Sequence, residues 1–293
     1  MKTVSEYCQN NILVIPQALN TMQDVRLLFA GSSSLYYKCL KQDLLDVEFY
    51  SHLPCLVYIE SGQEVLTNSD NQQLELDENS AVLLPKGMHL HSDFVKSTDS
   101  LRAFLVFLDY NLISEFLISI PYQKKSQSRL KKIHCDQSIR HYFQSILLLK
   151  ENASPCLSYM NAKLLELLHL LAMAGNDFAS LLYQMSQEEG STRRNLQRLL
   201  SSSDVLGLSI NDIANLSGRS LSSFSRDFKR FYDTTPKKWL QEKRLQKANE
   251  LLINTDFSVT HIANELGYDN VSHFIKAFKA QYKVTPKQLK QII

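Results

Sequence analysis

Two sets of hydroxyl, imidazole and cationic side chains lie 50 residues apart in this 293-residue chain, and their types suit hydrogen bonding to a polyanion. The first set is Ser222, Ser223, Ser225 and Arg226, followed by Lys229 and Arg230; the second is Ser272, His273 and Lys276, followed by Lys279. Serine, histidine, arginine and lysine can meet the donor and acceptor edges of bases, and lysine also acts as a point charge on phosphate. The expected division is base readout by Ser222, Ser223, Ser225, Arg226, Ser272, His273 and Lys276, with phosphate contact by Lys229, Arg230, Lys237, Lys279 and Lys287. For one helix, a solvated polar face would explain such a set equally well. Two matched copies count against that.

Both sets belong to a repeat. Residues 208–236 and 257–286 align Ile213 with Ile262, Phe224 with Phe274, Phe228 with Phe278, Tyr232 with Tyr282 and Pro236 with Pro286. The offset changes from 49 to 50 between the first pair and the rest, so the second copy carries one more residue in the turn marked by Gly218 or Gly267. A helix, a short turn containing Gly and a second helix make the helix-turn-helix pattern, in which the second helix enters the DNA major groove. At the helical period, Leu221, Phe224, Phe228 and Phe231 in one copy, and Val271, Phe274, Phe278 and Tyr282 in the other, form the inward face. Ser209 with Asp212 reads as a capping box, and Thr235-Pro236 and Thr285-Pro286 each place a hydroxyl cap before proline at the first helical position. Residues 236–252 bring Trp239, Leu240, Leu245, Ala248, Leu251 and Leu252 near one side, which predicts a connecting helix. At roughly 25 Å it would hold two recognition helices in successive major grooves, about 34 Å apart.

These residues resemble the DNA-binding domain of the AraC/XylS family of transcription regulators over the last hundred positions. The resemblance implies a sequence-specific DNA-binding regulator, an activator rather than a repressor, working with duplex DNA and RNA polymerase. It puts base contacts on Ser222, Ser225 and Arg226 in the first unit and on Ser272, His273 and Lys276 in the second. Lys276 stands where the family usually has arginine, and Ile275 where a polar residue is common, so the second unit is expected to lean more on phosphate. Residues 217–240 also resemble copies common in regulators of Bacteroidetes.

Charge divides the same way. Residues 191–293 hold 17 basic and 9 acidic residues, a net of +8, which leaves 15 against 21, or −6, for the first 190. That asymmetry fits a nucleic-acid-binding segment joined to a segment with another task. The expected domains are 1–186, for sensing and dimerisation, and 187–293, for DNA binding, with a linker in the serine- and arginine-rich stretch after Met185. No apolar run reaches the ~20 residues of a membrane span, and the start lacks the basic region and apolar core of a signal peptide. Cys8, Cys39, Cys55, Cys135 and Cys156 are odd in number and scattered, which points to reduced thiols in a cytoplasm.

The fold class expected is α+β. Short apolar runs at 35–39, 47–50, 55–59, 63–67, 73–76, 81–84 and 101–108, broken by turn residues, read as an antiparallel barrel or sandwich. The layout of residues 55–66 and 74–94 is similar to the cupin-like sensor domain of many family members. His89 and His91 fall two apart near a Pro-x-Gly turn, the spacing that puts two imidazoles on one strand face. The partner half of a cupin metal site is missing around residues 58–67, and metals want three or four ligands, so no metal or cofactor is expected. The two histidines are read instead as solvated or as one wall of a ligand pocket with Tyr58, Leu105 and Phe107. From residue 137 the period becomes helical. Leu164, Leu167, Leu168 and Leu171 form an apolar stripe, open to two readings: a helix packed inside the domain, or the interface of a homodimer. Control is expected from an unknown small-molecule effector or a protein anti-activator bound by the first domain. The competing class is a metal-dependent cupin enzyme with an appended DNA-binding module.

Overall fold

The computed structural model of the chain describes residues 12–95, 100–122, 130–152, 156–175, 177–187, 193–201, 203–268 and 270–292. Cys8 and positions 188–192 of the expected linker lie outside them. The chain divides into two compact units, 1–192 and 193–293.

The first unit is built on two sheets rather than a closed barrel. One has the order β1 (Leu13–Ile15), β4 (Leu44–Ser51), β9 (His89–Phe94), β6 (Glu64–Thr67) and β7 (Gln73–Leu76). The other runs β11 (Lys132–His134), β8 (Ser80–Leu84), β5 (Cys55–Ser61), β10 (Leu101–Phe107), β3 (Ser34–Leu40) and β2 (Val25–Ala30). Strand pairing is antiparallel except for β1 against β4.

Within the six-stranded sheet, β5, β8 and β10 are buried at nearly every position, so their sequences are continuous apolar runs instead of alternating ones. Two layers sandwich it. Val57, Ile59, Leu105 and Phe107 join Phe49, Leu66, Leu90 and Phe94 of the other sheet in one core. Leu56, Tyr58, Phe104 and Val106 face the opposite way, onto the helices α1 (Tyr110–Ser119), α2 (Gln137–Asn152), α3 (Leu157–Ala174) and α4 (Phe178–Gln187). Asp109 starts α1 by accepting from the amides of Asn111 and Leu112. The helical period expected from residue 137 resolves into α2, α3 and α4, the last two split near Gly175.

The second unit is all helical: α5 (Leu196–Ser201), a 3₁₀ turn (Ser203–Gly207), α6 (Ile210–Leu216), α7 (Leu221–Tyr232), α8 (Pro236–Asn254), α9 (Val259–Glu265), α10 (Val271–Tyr282) and α11 (Pro286–Ile292). It has two cores. Phe224, Phe228 and Leu240 belong to the first, and Leu245, Ala248, Leu252, Phe274 and Phe278 to the second. Helix α8 therefore gives its first half to one unit of the repeat and its second half to the other. Its 19 residues span about 28 Å.

Candidate nucleic-acid interface

The repeat folds as two helix-turn-helix units whose recognition helices, α7 and α10, are each 12 residues long. Matching local signals place them. Ser220 caps α7 by accepting from the amide of Ser223, and Asn270 caps α10 by accepting from those of Ser272 and His273. Both helices end on a left-handed residue, Asp233 at φ 51° and Lys283 at φ 66°. The connecting turn covers 217–220 in the first unit and 266–270 in the second, which accounts for the one-residue change of offset. The Ser209–Asp212 capping box forms in full, and Thr235 caps α8 ahead of Pro236. Thr285 accepts from the amide of Gln288 to begin α11.

Phe224 and Phe228, like Phe274 and Phe278, are buried with no more than 1% exposure, and this fixes which face each recognition helix presents to solvent. Ser222, Arg226, Ser272, His273 and Lys276 are exposed on that face, whereas Ser225 is half-buried. Ser223 is also half-buried, and its hydroxyl accepts from Ser220 Oγ at 3.1 Å, so it belongs to the cap. Lys229, Arg230, Lys237, Lys279 and Lys287 are all exposed. One inward assignment fails: Leu221 is 48% exposed, because the first turn of α7 projects beyond the core that holds Phe224. The two exposed sets match by position, with Ser222 and Arg226 of α7 answering Ser272 and Lys276 of α10.

A cation locks each unit. Arg219, in the first turn, has a side chain with 0% exposure and bonds Asp227 of α7 through Nε at 3.0 Å, while its Nη1 donates to the carbonyls of Arg194 and Ser217. Burial works against ionisation of Asp227, but the hydrogen bond and charge of Arg219, with Arg193 and Arg226 nearby, outweigh it and hold the carboxyl below its ordinary range. The second unit has Tyr268 and Ala277 at the matching positions, and its lock is Arg244 of α8. That guanidinium donates to the carbonyls of Leu206 at 2.7 Å and Leu208 at 2.8 Å, beside the first unit, and to Gly267 at 3.0 Å in the second turn. Gly267 has φ +72°, and a Cβ there would stand 2.6 Å from Gly207 O. The two units thus touch through a glycine backbone sealed by one arginine. Neither Arg219 nor Arg244 stood out in the sequence, where each is one cation among many.

The candidate pocket residues of the first unit do not come together. Tyr58 stacks on Phe143 of α2 at 4.4 Å, on the helix side of its sheet. Leu105 and Phe107 face the other sheet. His89 and His91 alternate with Leu90, Ser92 and Phe94, which point inward, so the two imidazoles lie on the outer face of β9. There they pair with carboxylates of β4: His89 Nδ1 is 3.0 Å from Glu48 Oε1, and His91 Nδ1 is 2.9 Å from Asp46 Oδ1. Among the described residues, no three His, Cys, Asp or Glu side chains are grouped to hold a metal ion. Of the five, Leu105 alone lines the pocket that is present between the sheets, which is apolar apart from Lys38, Glu64 and Ser92. A signal for those three was available, since Lys38 falls in step with the inward Tyr36 and Leu40, Glu64 with Leu66, and Ser92 with Leu90 and Phe94.

Leu164, Leu167, Leu168 and Leu171 are each 0% exposed inside the unit's own core, so the intradomain reading holds for them and they offer nothing to a second subunit. Cys39, Cys55, Cys135 and Cys156 are free thiols. No helix among the described residues is long and apolar enough to cross a membrane.

Comparison with known proteins follows the same division. The helix-turn-helix domain family matches residues 213–292, and the ExsA N-terminal regulatory domain family matches 54–181. The virulence regulon transcriptional activator VirF of Yersinia enterocolitica is 30% identical over 125 residues, 42% of this chain and 45% of that protein. The HTH-type transcriptional regulator ExsA of Pseudomonas aeruginosa is 29% identical over 131 residues, 44% and 46% respectively. The chain thus spans under half the length of these curated relatives. Among solved structures, the C-terminal domain of the response regulator yesN from Fusobacterium nucleatum is 28% identical, with a TM-score of 0.30, over 32% of this chain and 93% of that one. ToxT from Vibrio cholerae is 15% identical, with a TM-score of 0.35, over 91% and 97%.

Proposed function

We propose that this chain, a member of the AraC family of transcription regulators, binds two short boxes of duplex DNA with one helix-turn-helix unit each and activates transcription with RNA polymerase. One observation carries the reading: two matched polar faces, Ser222 with Arg226 and Ser272 with Lys276, stand exposed on helices joined through α8 and Arg244. We assign base readout to those four, with Ser225 and His273, and phosphate contact to Lys229, Arg230, Lys237, Lys279 and Lys287. Residues 187–293 are read as the DNA-binding domain and 1–186 as the domain that receives the control signal.

The protein is read as a non-enzymatic, cytoplasmic homodimer. Its pairing surface would lie outside the four buried leucines; the exposed Ile118 of α1 and Met173 of α3 favour the helical side of the first unit. The control signal is a small effector or a partner protein. The test captures genomic duplex fragments with the full-length protein and transcribes them with RNA polymerase. Transcript yield rising with added protein on the captured fragments supports activation. Capture with falling yield makes the protein a repressor.

A further inference from the structure

The space between the two sheets of the first unit is walled by apolar side chains, among them Leu13, Leu19, Met22, Phe49 and Leu105. The cavity among them has a volume of about 50 Å³. Into this wall project one cation, one anion and one hydroxyl. Lys38 Nζ donates to Glu64 Oε1 at 2.7 Å, and Ser92 Oγ donates to the same oxygen at 2.5 Å. Glu64 is 3% exposed and Ser92 4%, while the Lys38 side chain is 10% exposed. The other carboxylate oxygen, Glu64 Oε2, is buried and accepts no hydrogen bond.

Stability does not explain this arrangement. A buried ion pair gains in attraction about what it loses in desolvation, and a well-packed apolar pair would serve the sheets as well or better. Leaving a charged oxygen buried and unbonded costs more still, since such groups nearly always find a donor. A vacant acceptor on a residue that lines an apolar space is what a donor-bearing ligand would complete.

We propose that this pocket binds a small molecule that joins an apolar body to a hydrogen-bond-donating head, the head donating to Glu64 Oε2. The polarity of the head follows from the charges. Lys38 is already neutralised by Glu64, so a carboxylate head would find no free cation and would meet Glu64 Oε2 with like charge. A hydroxyl or an ammonium finds an acceptor. The site gives the control domain of the proposed regulator a chemical class of effector, yet its existence does not depend on DNA binding.

The test uses thermal unfolding and calorimetric titration of the full-length protein without DNA, with three probes of equal length: 1-hexanol, hexylamine and hexanoate. Hexanol and hexylamine should bind saturably and raise the melting temperature, at least about tenfold more tightly than hexanoate. In Glu64→Gln the amide replaces the acceptor oxygen, and the preference over hexanoate should disappear. Should that variant not fold, the double variant Lys38→Met/Glu64→Leu keeps the volume apolar, and it should bind the uncharged probe without regard to a donor. Absence of saturable binding by any probe, binding of hexanoate equal to that of hexanol, or an unchanged preference in the variant that folds overturns the proposal. Because no step involves DNA, failure here leaves the transcriptional reading standing, and the reverse also holds.

Discussion

Replacing Arg244 by methionine keeps the stem of the side chain and removes its hydrogen bonds to Leu206 at 2.7 Å, Leu208 at 2.8 Å and Gly267 at 3.0 Å. A hydrogen bond from a charged donor is worth about 1.5 to 3 kcal/mol net. Tripling that figure overcounts, since the three share one side chain and half-buried carbonyls regain water; about 3 kcal/mol is the consistent loss. The assay is built into the chain. Trp239 is its single tryptophan and lies edge-on to Phe228 at 5.6 Å, so its emission follows unfolding of the first helix-turn-helix core in the full-length protein. With a urea slope near 2 kcal/mol/M, Arg244→Met should lower the midpoint by about 1.5 M. Arg244→Lys should fall between, because one ammonium cannot span carbonyls on both sides of the fork. A midpoint shift below about 0.3 M for Arg244→Met would refute the claim that this residue ties the two units together.

Arg226→Ala should weaken binding to the selected DNA site by about 1 to 3 kcal/mol and relax its sequence preference, as measured by competition with mismatched duplexes; equal loss on every DNA would make it a phosphate contact. Asp227, whose carboxyl is held below its ordinary range in the folded chain, contributes stability that is present above the unfolded value near pH 3.9 and is lost as pH falls through the folded one. Urea midpoints should therefore show Asp227→Asn less stable than wild type by about 3 kcal/mol at pH 7, with the gap narrowing as pH falls below about 4; a gap that does not narrow with falling pH contradicts the assignment. Gly267→Ala should disrupt the contact between the helix-turn-helix units, since its new carbon would meet the Gly207 carbonyl oxygen at 2.6 Å in a backbone conformation alanine resists; wild-type stability and wild-type affinity for paired boxes would show the contact is dispensable.

The helical half of the molecule was legible because its signals are local. Caps such as Ser209 with Asp212 act over three residues, and buried pairs such as Phe224 and Phe228 repeat within one helix. The runs in β5, β8 and β10 were legible for the same reason, as continuous apolar segments. What escaped depends on distant partners. The strands β1 and β11 are three residues each and exist through pairing with β4 and β8. Helix α1 carries a local start signal in Asp109, but its apolar residues Leu112, Ile113 and Phe116 are buried by distant helices. The leucines of α3 show how an apolar stripe reports burial without naming what buries it. His89 and His91 do share a face, as the spacing required, but the alternation of β9 turns that face away from the pocket. Lys38 and Glu64 are 26 residues apart and meet only because β3 and β6 face each other across the two sheets.

Selection of binding sites from a random duplex library by the full-length protein tests the central claim most directly, with the salt dependence then measured on the enriched sequence. Two short boxes centred about one helical turn apart are expected, and, with one phosphate neutralised by each of Lys229, Arg230, Lys237, Lys279 and Lys287, a slope of log K against log salt of about −4.5. A single box, or no enriched sequence at all, would contradict it, because the two matched faces would then not be reading DNA together.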